Sequence, residues 1–100
     1  MPETHCSRTV TLVNAQGFHL RPAKLFVELA SKFCSQIEVI KDDMRIDGKS
    51  ILSILTLGAP QGTQLSLLAN GADSQAAVEA LAALIESGFN EASVADPARE

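Results

Sequence analysis

Gly17-Phe18-His19-Leu20-Arg21-Pro22-Ala23 is the stretch from which the rest of the chain is best read. Before it, Thr9-Val10-Thr11-Leu12-Val13 alternates as a half-buried strand would, and Asn14-Ala15-Gln16-Gly17 stops that strand with turn formers. After it, Pro22, Phe26, Leu29, Ala30 and Phe33 recur along one helical face. Pro22 suits the first turn, where its missing N–H has no partner to lose. The stretch therefore sets a histidine at the mouth of a helix.

That placement has chemical consequences. The first N–H groups of a helix lack internal partners, and the dipole there carries roughly half a positive charge, so an anion docks readily. Arg21, two residues on, adds a planar set of donors suited to phosphate oxygens. Imidazole can attack as a nucleophile through its unprotonated nitrogen. Gly17 lets the backbone approach without a side chain in the way. On chemistry alone a histidine beside a helix start is more often a solvated or capping residue, with Arg21 then a surface charge.

Further along, Ile37, Val39 and Ile40 mark a second strand, Asp42-Asp43 a tight turn, and Met44 to Asp47 a short third strand pairing back. Ser50 is placed to cap a short apolar helix running to about Leu57. Gly58 to Gly62 reads as a loop, and Leu65, Leu67 and Ala69 as a fourth strand. Asp73 or Ser74 can cap a last helix striped by Ala77, Leu81, Leu84 and Ile85, which Gly88 can end. The order β-α-β-β-α-β-α suits a single sheet with helices on one face, though pattern alone leaves several topologies open.

One hundred residues, 46% hydrophobic and 20% charged, suffice for one compact domain with a real core. Four Phe are the only aromatics, so Leu, Ile, Val and Ala must make most of that core. A net charge of -4 argues against nucleic acid as partner. No apolar run approaches the ~20 residues of a membrane span, and Met1 to Arg8 lacks an apolar signal core. No membrane insertion and a cytoplasmic location are expected. Cys6 and Cys34 are read as free thiols in a reducing compartment, with a disulfide as the lesser alternative and Cys34 serving as a small hydrophobe after the first helix. His5, Cys6, His19 and Cys34 lack close-paired ligand spacing, so a metal enzyme is disfavoured and no metal or cofactor is expected.

Gly17-Phe18-His19-Leu20-Arg21-Pro22-Ala23 resembles the G-[hydrophobic]-H-x-R-P-A signature of the HPr family of phosphocarrier proteins, whose histidine is phosphorylated. Gly48-Lys49-Ser50-Ile51-Leu52-Ser53-Ile54-Leu55-Thr56-Leu57-Gly58 resembles the family's regulatory stretch. The likeness runs from about Thr9 to Phe89. It implies an α+β fold, an open-faced β-sandwich: a four-stranded antiparallel sheet of order 1-4-2-3 with three helices on one face. It also implies a phosphoryl carrier, not an enzyme, in the bacterial phosphotransferase system. Residues 1–90 would form the domain and 91–100 a flexible tail.

By the same resemblance, His19 takes a phosphoryl group from enzyme I and gives it to a IIA-type acceptor. Arg21 assists, and Gln16, Gly17 and Leu20 stabilise the phosphate. Gln16 stands at the cap position beside the histidine, where the family often has Asn or Ser. Ser50 falls where an HPr kinase/phosphorylase acts in many members, although chemistry alone favours a plain helix cap. Ile51, Leu52, Ile54, Leu55 and Leu57 are too many apolar residues for one buried face of a two-turn helix. Ile51, Leu52 and Leu55 are therefore read as a partner-docking patch. A monomer is expected. Ile85-Glu86-Ser87-Gly88-Phe89-Asn90 resembles nitrogen-branch relatives and Gly48-Lys49-Ser50 sugar-branch ones, so the branch stays open. The rival reading is a regulatory binding module acting through Ser50 without sugar transport.

Overall fold

The computed structural model describes residues 4–90; the segment 91–100, expected to be a flexible tail, lies outside them. The elements follow the expected order: β1 (His5–Thr11), α1 (Leu20–Ala30), β2 (Gln36–Lys41), β3 (Met44–Asp47), α2 (Ile51–Thr56), β4 (Gln64–Asn70) and α3 (Ser74–Glu86). A 3-10 turn, Gly88–Asn90, follows. The four strands make one antiparallel sheet of order β1-β4-β2-β3. This is the α+β, open-faced β-sandwich the sequence led us to expect.

Register explains which face is covered. Leu65 lies opposite Val10, Leu67 between Arg8 and Val39, and Ala69 between Cys6 and Ile37. Successive side chains alternate between faces, so the apolar members of these rows share one side. There Leu65, Leu67, Ala69, Ile37 and Val39 are buried with Phe26 and Ala30 of α1 and Ala77, Val78, Leu81, Ala82 and Ile85 of α3. The opposite face carries Ser7, Thr9, Glu38 and Ser66, with Arg45 Nε paired to Glu38 Oε1 at 3.1 Å. Truncating any of the large core side chains to Ala costs about 2–5 kcal/mol.

Three details differ from expectation. The first strand was expected around Thr9 to Val13, but β1 starts at His5 and stops at Thr11. The seven-residue β4 supplies ladder partners back to His5, while Ser7 and Thr9 look onto the uncovered face and show no apolar pattern. Cys34 is not a buried hydrophobe: it is an exposed free thiol in the turn after α1, and Cys6 is a half-buried one.

Asp73 does stand at the N-cap of α3, yet its side chain makes no cap bond there. Its carboxylate instead accepts the Cys34 N–H at 2.9 Å, the Ser35 N–H at 3.0 Å and the Ser35 hydroxyl. Ser35 is fully buried, so without Asp73 its N–H and hydroxyl would be left unsatisfied, while Cys34 beside it is exposed. These bonds, with the Ser35 hydroxyl foremost, lower the Asp73 pKa from 3.8 to about 2.

Candidate functional site

His19 is itself the N-cap residue of α1, with extended backbone (φ -87, ψ -170) and no side-chain cap bond. This corrects the reading of Gln16, which lies in the preceding turn and not at the cap. The His19 carbonyl already accepts the Ala23 N–H at 2.9 Å. Pro22 has no N–H, so the helix presents the N–H groups of Leu20 and Arg21 at its mouth.

The segment behind His19 is clamped from several sides. Gly17 N–H donates to the Asn14 carbonyl at 3.0 Å, and Asn14 Nδ2 donates to the Gly17 carbonyl at 2.7 Å. Phe18 N–H donates to the Ala59 carbonyl at 2.9 Å, and His19 N–H to the Gly17 carbonyl at 3.0 Å. Gly17 has φ +67, and a Cβ there would meet Ala59 O at 2.2 Å and Pro60 Cα at 2.7 Å. The close approach that Gly17 permits is thus to the Ala59-Pro60 loop, which braces the histidine.

Gln16, Phe18, His19, Leu55, Gly58, Ala59 and Pro60 line an open depression of about 340 Å³. Two predicted residues, Gln16 and Leu55, are therefore brought to His19 from different parts of the chain. Arg21 and Leu20 are not among its walls; both are exposed on the adjoining first turn. The Leu20 side chain, 60% exposed, is apolar, so only its backbone N–H can serve a phosphate.

On α2 the expected crowding resolves as an outward-facing side chain. Ile54 and Leu57 are buried, Ile51 and Leu55 half-buried, and Leu52 is 77% exposed. Ser50 caps the helix, its Oγ accepting the Ser53 N–H at 3.2 Å. The other end is tied by Lys41 Nζ, which donates to the Leu57 carbonyl at 3.1 Å. Lys49 Nζ donates to the Phe33 carbonyl at 2.7 Å, anchoring α2 to the end of the first helix's turn. Five residues of helix is about 7.5 Å, so Ser50 lies one short helix away from Leu55 and the histidine's depression.

Sequence reading passed over Asn14 and the Ala59-Pro60 wall. Asn14 is buried, which a polar residue in a turn pattern does not announce. Among the described residues no three His, Cys, Asp or Glu side chains come together as a metal site, and no helix is long and apolar enough to cross a membrane.

Comparison with known proteins agrees with this fold. The family model described as "PTS HPr component phosphorylation site" matches residues 6–87. Phosphocarrier protein HPr of Treponema pallidum is 38% identical over 84 residues, 84% of this chain and 96% of that protein. Phosphocarrier protein NPr of Shewanella violacea is 36% identical over 90 residues, 90% of this chain and 99% of that protein. The crystal structure of HPr-C-His from Thermoanaerobacter tengcongensis superposes with a TM-score of 0.82 at 47% identity, covering 85% of this chain and 96% of that one. By sequence along nearly its whole described length, and by fold, this chain belongs to the HPr family of the phosphotransferase system, phosphocarriers that hold phosphate on a histidine and are not enzymes.

Proposed function

We propose that His19 is the phosphoryl-carrying residue, charged by phospho-enzyme I and discharged to a IIA-type acceptor in sugar uptake or nitrogen-branch regulation. The observation that carries this reading is the position of His19 at the N-cap of α1, on the wall of an open depression and next to the exposed first turn that bears Arg21. In the transfer, an unprotonated His19 ring nitrogen forms the new N–P bond while the N–P bond to the donor histidine breaks. The phosphate then sits against the helix mouth, where the Leu20 and Arg21 N–H groups and the helix dipole oppose its charge. The Arg21 guanidinium adds charge-assisted donors, and Gln16 and Gly17 complete the surroundings. Residues 1–90 act as the carrier unit, a cytoplasmic monomer needing no cofactor or metal.

Docking falls to Ile51, Leu52 and Leu55, with Leu52 the most exposed large apolar side chain among the described residues. Incubation with enzyme I and labelled phosphoenolpyruvate should give acid-labile label on His19. His19→Ala should take none, and label that survives that substitution contradicts the assignment. Arg21→Ala should slow transfer while the fold persists, because it removes charge and no core atoms.

A second reading concerns Ser50, favoured by its place as N-cap of the docking helix. Phosphorylated there by an HPr kinase/phosphorylase, it would add about -1.5 to -2 charge beside the apolar patch. An apolar partner surface would have to desolvate that charge, so interference needs no change of shape. Ser50→Asp should slow phosphorylation of His19, and rates equal to wild type leave Ser50 as a helix cap only.

A further inference from the structure

Phe89 lies at the far end of the chain from His19, yet its ring packs directly on the residue preceding it. After α3 the chain turns through two consecutive left-handed residues, Gly88 (φ +72) and Phe89 (φ +57, ψ 27). Glycine adopts that region freely, but a bulky side chain there is strained and persists only where surroundings over-determine it. What holds Phe89 is burial. Its ring is 0% exposed, with its centroid 5.4 Å from that of Phe18 at a tilt of 40°. On the other side Phe18 meets Phe26 of α1 edge-on, with centroids 5.5 Å apart. Phe18 is therefore held between α1 and the turn after α3, and its own N–H is pinned to the Ala59 carbonyl. The next residue is His19.

We propose that Phe89 is a positioning residue for phosphoryl transfer: by fixing Phe18 it fixes the backbone that aims the His19 imidazole at the mouth of α1. This rests on the reading of His19 as the phosphoryl acceptor. Leu55 of α2 lines the same depression as Phe18 and His19, whereas Leu52, the outward docking side chain, is 77% exposed and takes no part in the ring stack. Loss of the Phe89 ring should therefore act on the transfer step while recognition through Leu52 is kept. Small misplacements of a reacting group are expensive in rate, which is how a residue that touches no phosphate can matter.

The test uses the full chain as acceptor in steady-state transfer from phospho-enzyme I, at a temperature where each variant is folded by circular dichroism. Phe89→Ala should lower kcat by about tenfold with KM little changed, and should shift the His19 imidazole signals in NMR spectra. Phe89→Leu, which keeps the site filled but loses the ring contact, should fall between and covers the case in which Phe89→Ala does not fold. Val78→Ala, a core truncation near the other end of α3, controls for loss of stability as such and should transfer at the wild-type kcat. Equal kcat for Phe89→Leu and Val78→Ala, with His19 signals unmoved, overturns the positioning role while leaving His19 as acceptor. No label on His19 of the wild-type protein overturns both.

Discussion

At the start of α2 the Ser50 hydroxyl accepts the Ser53 N–H, whereas at the start of α1 the His19 side chain makes no such bond. Both residues have the extended backbone of an N-cap, at φ -120, ψ 116 and φ -87, ψ -170. The difference lies in what holds each turn. Ser50 finishes its helix with its own side chain, as serine commonly does. The α1 mouth is held from behind, through Asn14 on Gly17, Phe18 on Ala59, and the Phe26-Phe18-Phe89 stack. The α1 mouth is thus fixed by backbone and core, and the α2 mouth by the side chain of its own cap residue. A phosphate on Ser50 would add acceptor oxygens to a mouth that already has a side-chain cap, whereas one on His19 would meet a mouth that has none.

That contrast can be broken most severely at Gly17. Gly17→Ala puts a Cβ on the Ala59 carbonyl in a left-handed backbone, so it should cost at least about 2 kcal/mol and slow transfer as well. Thermal unfolding beside a transfer assay checks both; an unchanged melting temperature would mean the Ala59-Pro60 wall moves freely. Leu52→Lys should weaken enzyme I binding about tenfold, or about 1.4 kcal/mol, with stability changed by less than about 0.5 kcal/mol. A calorimetric titration reads the first and a denaturant melt the second. A large stability loss would mark Leu52 as core.

Ser50→Ala sharpens the comparison from the other side. It should cost about 1 kcal/mol through the lost cap and leave transfer near wild type, read by urea unfolding and by the label assay. The mildest effect is expected at Asp73, whose carboxylate holds the α1–β2 turn instead of capping α3. Its pKa in the fold is lowered from 3.8 to about 2. Its stabilisation is therefore complete above about pH 4 and disappears as pH falls toward 2. Asp73→Asn should melt below wild type at neutral pH, and the gap should close between pH 4 and pH 2. A gap constant with pH would show that the charge contributes nothing.

How much of this the sequence discloses depends on the reach of each interaction. Local signals were legible: the order of the elements, the turn at Asp42-Asp43, Ser50 as cap and the histidine at the mouth of α1. The outward side chain on α2 followed from simple crowding, and Leu52 is where it shows. Contacts closed over long sequence separation were not legible. Asp73 looks like a cap in sequence and serves a turn 38 residues away. Gly17 looked permissive for a ligand because nothing local reveals that Ala59 and Pro60 press against it. Phe89 looked like the edge of a tail because a left-handed phenylalanine has no sequence signature. Gln16 was placed one role too far, since His19 itself takes the cap position.

With His19 as carrier, the α1 mouth, and not the α2 mouth, receives the phosphoryl group. Amide NMR spectra of the uniformly labelled protein, recorded before and after charging by enzyme I and phosphoenolpyruvate, test it most directly. The Leu20 and Arg21 N–H resonances should move most, together with the His19 ring, while the Ser53 N–H stays in place. Full charging with Leu20 and Arg21 unmoved, or with the largest shifts at Ser50 to Ser53, would contradict it.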